Sequence, residues 1–365
     1  MKKKIALLLT LQLINCALSA PAEPALKTHS LVFTETPTNL VDLQRGTNGS
    51  LAVLYYSRDE NHLNYCLDFF SEIGEPIYFK RFCSREEEPD FYPLAQVIML
   101  NDHVRCEYYP DIETMDVCYI TEFLYDGTET VTDHKQTFAI GDASYASHFG
   151  NFILQMQAHS YDDERESVWR KYEVIHAPSG VSKTFIEDSY DTYAFAIDDN
   201  FFFLAYESES NRIRVQRYSN SATLEEQIFF IHLENSTTDW NLVSATYVGE
   251  QLLIQLSSVL GDETGTVIAC EPATGITKTI GTLPTNEELQ NIGHFLLVSE
   301  STWDESLQTS AYQFQLPESN KVQTSLRLTH DRCYAFWTEG DTLYTFEYDI
   351  QKKTFFLCQY QFTAT

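Results

Sequence analysis

Short apolar runs preceded by Gly, Asn or Asp recur along the whole chain. Ser50-Leu51-Ala52-Val53-Leu54-Tyr55 follows Asn48-Gly49, Val104-Arg105-Cys106 follows Asp102-His103, and Phe152-Ile153-Leu154 follows Gly150-Asn151. Phe201-Phe202-Phe203-Leu204 follows Asn200, and Leu252-Leu253-Ile254 follows Gly249-Glu250-Gln251. Phe295-Leu296-Leu297 follows Gly293-His294, and Leu343-Tyr344 follows Gly340-Asp341-Thr342. The punctuating positions 49, 102, 150, 200, 249, 293 and 340 are 44–53 residues apart, so seven units of nearly fixed length are expected. Gly, Asn and Asp tolerate the positive φ that tight hairpins need. In the last unit the alternation predicts strands at 333–338, 343–349 and 355–362. Tyr344, Phe346 and Tyr348 then share one face, and Thr345 and Glu347 the other.

A second marker keeps step with the first. Val174-Ile175-His176-Ala177-Pro178-Ser179-Gly180 reads much like Val267-Ile268-Ala269-Cys270-Glu271-Pro272-Ala273-Thr274-Gly275, each followed by a Lys-Thr strand. Each unit holds four strands except the last, where the chain ends after three. A spare strand at 30–35 precedes the first unit. Pairing it with 355–362 would complete the seventh sheet, close a ring and hide the edges. Seven units of this kind resemble the β-propeller superfold, loosely with the quinoprotein or YVTN type of turn at Pro272–Gly275 and its counterpart. No WD dipeptide, kelch double glycine or regular tryptophan singles out a family. The expected fold is therefore all-β, a seven-bladed propeller with four antiparallel strands per blade.

Composition agrees. The chain is 43% hydrophobic and 14% aromatic, with 24 Phe and 22 Tyr, a strand-leaning content. Lys2, Lys3 and Lys4, the apolar stretch 5–18 and the small residues Ser19, Ala20 and Ala22 form an export signal of bacterial type. Residues 1–22 are thus expected to be removed, leaving one domain over 23–365 in the periplasm or outside the cell. Asn15 before Cys16 argues against lipoprotein processing. No later stretch is long and apolar enough to span a bilayer.

The net charge is −29, and loss of the three signal lysines leaves about −32. Polyanionic partners, nucleic acid among them, are excluded on that ground. A basic protein, a cationic ligand or a glycan is the partner class that remains, with a monomer as the expected state. In a propeller, the loops between second and third strands share one rim with the loops between blades. That rim holds about twice as many acids as the other.

The chemistry is sparse. No His-x-His, His-Glu-x-x-His or Gly-x-Ser-x-Gly pattern occurs, and phosphate-cradling glycine loops are absent. Asp162, Asp163 and Glu164, with Asp262 and Glu263, are the candidate ligands for Ca²⁺, a hard cation that takes oxygen donors. Cys66 and Cys83 lie symmetrically about Gly74-Glu75, and Cys106 and Cys118 about the loop 110–116. Two hairpin disulfides are therefore expected in an oxidising compartment. Cys270, Cys333 and Cys358 are left unassigned. The stripe Arg212, Arg214 and Tyr218 reads as a strand face, and Arg332 as an ion-pair partner for neighbouring acids. The function expected is binding at the acidic loop face. The alternative is an extracytoplasmic hydrolase or lyase acting on glycans, with rim carboxylates as acid and base.

Overall fold

The structure, a computed structural model, describes residues 24–59, 62–85, 94–111, 117–137, 145–162, 167–189, 191–219, 223–233, 239–260, 263–292, 295–316 and 324–362. Among the described residues almost all regular structure is strand, with one 3₁₀ turn at Ser208–Ser210. Five four-stranded antiparallel sheets form, and an eight-stranded sixth sheet merges two further units. Counted along the chain, blade 1 spans 37–85, blade 2 94–137, blade 3 145–187, blade 4 192–232 and blade 5 240–284. Blade 6 spans 287–325, and blade 7 joins 332–361 to the N-terminal strand Ala25–Leu31. The seven-bladed propeller expected from the repeat is what the chain forms.

Ring closure is antiparallel, with Ala25 opposite Gln361 and Leu31 opposite Phe355. The closing strand lies some residues earlier than the apolar run 30–35 suggested. Beyond Leu31 the chain turns inward. Phe33 packs edge-on against Tyr55, Phe70 and Phe355 at ring separations of 5.1–5.3 Å. Thr34 donates from its amide to Asp68 Oδ2 at 3.0 Å and from its hydroxyl to Asp68 Oδ1 at 2.7 Å. Those contacts occupy 32–35 as a connector between blade 7 and blade 1.

The core lies between the blades. Second strands such as Leu51–Arg58 and Asn200–Glu207 are buried on both faces, so they read as apolar runs with no alternation. Fourth strands such as Glu129–Thr137 are largely exposed. Apolar clusters fill each seam in turn around the ring. Val104 and Leu67 belong to the cluster between blades 1 and 2, and Ile98 with Ile153 and Ala177 to that between 2 and 3. Phe152 and Phe203 fill the next, Leu204 and Ile254 that between blades 4 and 5, and Leu253 and Val298 that between 5 and 6. Leu297 and Leu343 join blades 6 and 7, and Phe346 and Tyr55 join blades 7 and 1. A single blade cannot bury its own faces, so stacking is the source of stability.

Blade 6 departs from the regular plan. Among the described residues its fourth strand is Thr324–Ser325, and its third strand also pairs with the first strand of blade 7 through Tyr312 and Cys333. Its second-to-third-strand turn reaches past blade 7 to blade 1. There Leu40 N donates to Leu307 O at 3.0 Å, and Leu307 is buried among Leu40, Tyr55, Tyr334 and Phe346.

The expected disulfides are not formed; all seven described cysteines are free thiols. The symmetric count about Gly74-Glu75 failed because the hairpin is not a two-residue turn. Its loop is Ser71–Glu75, closed by Ser71 N donating to Glu75 O at 2.8 Å. Bulges then shift the register at Tyr65/Cys66 and Phe69/Phe70, setting Cys66 opposite Arg81 and Cys83 opposite Tyr65. Cys66 faces blade 7 and Cys83 faces blade 2. Cys106 lies opposite Thr121. Cys118, three residues along from Thr121, therefore points to the other face. Burial pushes the Cys66 and Cys106 thiols up to about 12, and those of Cys118 and Cys270 up to about 11. They are inert core groups at neutral pH.

Candidate functional site

Sequence reasoning pointed to the rim made by second-to-third-strand loops and blade connections. Many of its described acids already have basic partners. Glu35 accepts from Arg81 Nε at 2.8 Å and from Asn64 at 3.1 Å, and also from Ser57. Burial opposes ionisation there, but the Ser57 hydroxyl and the Arg81 guanidinium hold the carboxyl below its ordinary range. Arg214 Nη2 donates to the buried Glu187 at 2.6 Å and its Nε to Glu207 at 3.0 Å, while Arg212 Nε donates to Glu207 at 2.6 Å. Asp304 holds Arg332, and Asp349 holds Lys352 at 2.8 Å.

The Arg212, Arg214 and Tyr218 stripe is thus a continuous polar ladder. It runs on through Gln216 to Glu226, which accepts from the Tyr218 hydroxyl at 3.1 Å. Lys183 closes it on Glu226 at 2.7 Å. This explains the arginines structurally and leaves no open anion seat among the described residues.

Of the calcium candidates, Asp163, Glu164 and Asp262 lie outside the described residues. So does the Asp162 side chain, whose backbone ends the strand Phe152–Asp162 opposite Ser167. Glu263 is exposed, and its carbonyl accepts from Thr285 N at 3.1 Å. The structure does not bring these residues together into a described site.

A concave site does exist, on the opposite rim. The lower ends of the inner strands and their tight turns from blades 1, 3, 4, 6 and 7 enclose a cavity of about 500 Å³. Such a volume falls in the range of small-ligand sites. Its walls are aromatic, from Phe149, Tyr193, Phe195, Phe336 and Trp337, and its ionisable groups are Arg45, His148, Asp198, Asp199 and Glu339. Phe195 stacks on Phe202 at 4.9 Å, and Phe336 meets Phe314 edge-on at 5.0 Å, so these walls are braced by the seams behind them.

The electrostatics of this mouth favour cations. Arg45 donates to Glu339 at 3.1 Å and lies over the Tyr344 ring at 3.5 Å, so its charge is already engaged. Burial pushes the His148 imidazole down to about 4. It is neutral, and its Nε2 donates to the Val97 carbonyl at 3.0 Å. Asp198 and Asp199 are exposed, and Asn151 donates to Asp199 at 3.4 Å. Asp198 holds φ at 50°, a turn position filled by Gly150, Gly249 and Gly340 in blades 3, 5 and 7. The mouth therefore carries two carboxylates for which no Lys or Arg ion pair is formed among the described residues.

Sequence reasoning missed this mouth, although the turns that build it were the very markers used to count blades. A signal was present: where other units place Gly, blade 4 places Asp198-Asp199. Further carboxyls stand on inner strands. Burial pushes Asp42 up against the opposing Gln44 amide, and burial raises Glu288. They belong to blades 1 and 6, with blade 7 between them.

No family model matches the sequence, and no curated protein matches it. Among solved structures the chain is similar to the β-propeller domain of the Trilobed protease from Pyrococcus furiosus, described as having an open velcro topology. That likeness has 9% identity and a TM-score of 0.48, over 91% of this chain and 97% of that one. It is also similar to the WD40 domain of SCAP from fission yeast, at 8% identity and a TM-score of 0.43, over 93% and 98%. A third is the N-terminal domain of Nup159, at 9% identity and a TM-score of 0.44, over 94% and 98%. The propeller assignment stands on the sheet topology itself. Among the described residues, no helix is long and apolar enough to cross a membrane.

Proposed function

We propose that this chain is an exported propeller that binds a cationic ligand or a basic partner at the open mouth of its channel. The observation that supports this is the pairing of aromatic walls with Asp198 and Asp199 in the 500 Å³ mouth, where Arg45 is already held by Glu339 and His148 is uncharged. Aromatic faces and carboxylates together favour an ammonium or guanidinium group. The large negative charge of the whole molecule draws such ligands in and speeds encounter. Export is the companion proposal, resting on the signal-like residues 1–22.

The test uses an oligolysine peptide and a glucosamine oligomer as probes, with calorimetric titration of the full mature chain. Saturable binding of one probe is expected, with an affinity that falls with salt. The double variant Asp198→Asn/Asp199→Asn should weaken it about 10-fold, or about 1.4 kcal/mol. The loop-face variant Glu263→Gln should leave it unchanged. Failure of both probes to saturate, or binding that ignores the mouth variant, overturns the reading.

A further inference from the structure

Blade 7 buries a group of metal-ligating side chains that the channel mouth does not use. A ring nitrogen of His330, a carboxylate oxygen of Glu347 and Cys358 Sγ all lie within 4.8 Å of one another. Glu347 and Cys358 are fully buried, and the His330 side chain is only 8% exposed. The arrangement follows from register. Thr345 lies opposite Cys358 and Glu347 opposite Phe356, so Glu347 and Cys358 share the face turned toward blade 6. His330 comes from the connection that enters blade 7, and its ring stacks on Phe356 at 3.9 Å.

Two features of this cluster are incomplete without a cation. Glu347 accepts from the Thr345 hydroxyl at 2.6 Å, the Tyr360 hydroxyl at 2.7 Å and His330 N at 2.9 Å. All of these are neutral donors, and among the described residues no Lys or Arg forms an ion pair with it. A fully buried carboxylate without a compensating positive charge is costly. His330 Nε2, meanwhile, is buried with no hydrogen-bond partner. Its other ring nitrogen, Nδ1, faces Asp349 Oδ2 at 3.7 Å. That carboxylate oxygen is also held by Lys352 at 2.8 Å; with Nε2 on a metal, a closer approach of Nδ1 to it would give the ring an outer support.

We propose that His330, Glu347 and Cys358 form a buried site for a divalent transition metal of zinc-like preference, which pins the entry loop of blade 7 to its second and third strands. The mixed nitrogen, oxygen and sulfur donors suit zinc and exclude calcium or magnesium, which take oxygen alone. Metal–ligand bonds of about 2.0–2.3 Å set tetrahedral donors about 3.5 Å apart. A contraction of about 1 Å closes the site, and the loop-borne His330 can supply it. Cys333, paired in register with Glu347, stands nearby, but its thiol donates to the Ala335 carbonyl at 3.1 Å, so the chain itself offers three donors. The third strand of this blade also pairs with Ala25–Leu31, so the metal reinforces the blade that shuts the ring.

The experiment is Co²⁺ and Zn²⁺ titration of the full mature chain after chelation under reducing conditions. One equivalent of Co²⁺ should bind, with a thiolate charge-transfer band in the near ultraviolet and tetrahedral bands in the visible. Cys358→Ser should abolish the charge-transfer intensity contributed by that thiolate, and His330→Ala should weaken binding at least about 10-fold. Cys83→Ser, on another blade, should change neither. Zn²⁺ should also protect Cys358 of the unmutated chain from alkylation, a readout that needs no variant to fold. Absence of the thiolate band, unaltered binding in Cys358→Ser and His330→Ala, or alkylation of Cys358 that Zn²⁺ does not slow would each overturn the proposal.

Discussion

Replacing Asp304 by Asn discharges a clasp between blades 6 and 7. Asp304 ends the second strand of blade 6 and is 8% exposed in its side chain. Oδ1 accepts from Ser306 N at 2.8 Å and from the Ser306 hydroxyl at 2.6 Å. Oδ2 accepts from the Tyr334 hydroxyl at 2.9 Å and from Arg332. Burial alone would raise this carboxyl, yet the donors from Ser306, Tyr334 and Arg332 hold it down at about 2. Against an ordinary value near 3.8, that preference for the charged form amounts to about 2 kcal/mol. The Arg332 side chain is 36% exposed, so solvent screening trims the figure to about 1–2 kcal/mol. The folded-state value is depressed, so this stability is complete above about pH 4 and disappears as the pH falls toward about 2. Urea unfolding of the mature chain and of Asp304→Asn at pH 7, 5, 4 and 3 measures it. The gap between the two should be about 1–2 kcal/mol at pH 7 and should narrow below pH 4. A gap of the same size at every pH, or none at pH 7, would refute the electrostatic account.

Three other outcomes are expected. A chain lacking residues 1–22 should melt like the full chain, because the first described strand begins at Ala25; one lacking 1–31 should lose its cooperative transition by calorimetry, because the partner of Thr354–Gln361 is gone. Asp198→Gly should raise the unfolding free energy by about 0.5–1 kcal/mol, since φ is 50° at that position and an L side chain is strained there; denaturant midpoints would show the sign. Leu307→Ala should cost about 2–4 kcal/mol, because a side chain 7% exposed leaves a cavity between blades 1 and 7, and a loss under 1 kcal/mol would mean that the turn is not anchored there.

What could be read from the chain was whatever depends on local period. The expected strands at 333–338, 343–349 and 355–362 are found as Arg332–Glu339, Thr342–Asp349 and Thr354–Gln361, because turn residues and alternation are set by neighbours in sequence. The closing pair was legible because the missing fourth strand and the spare first one were both visible. The Cys66–Cys83 pair was misjudged because a bulge leaves no mark in composition, and one shifted residue turns a side chain to the other face; for Cys106 the hairpin is centred further along, with Thr121 opposite it. Glu347 was placed on the right face, opposite to Tyr344 and Phe346, but its burial was not inferred. In a propeller the second strand is covered on both sides, so an acid there is buried whichever way it points. Glu107 in blade 2, fully enclosed with Gln96 and Tyr109 as donors at 2.6 and 3.0 Å, follows the same rule. The channel mouth was illegible for a different reason: five blades build it, and no local pattern records the gap they leave.

Blade 6 also differs from the other blades in where its second-to-third-strand turn docks. Its third strand pairs inward with blade 7, and its second-to-third-strand turn docks on blade 1 through Leu307. Leu40, which receives that turn, lies in the upper half of the innermost strand Pro37–Arg45, on the rim first expected to bind. Arg45 at the other end of the same strand borders the cavity. The strap thus crosses the loop-face end of the inner strands, while the tight-turn end stays concave. On the proposed reading, binding at the centre of this ring depends on the short turns of blades 1, 3, 4, 6 and 7, with Asp198 and Asp199 as its acids.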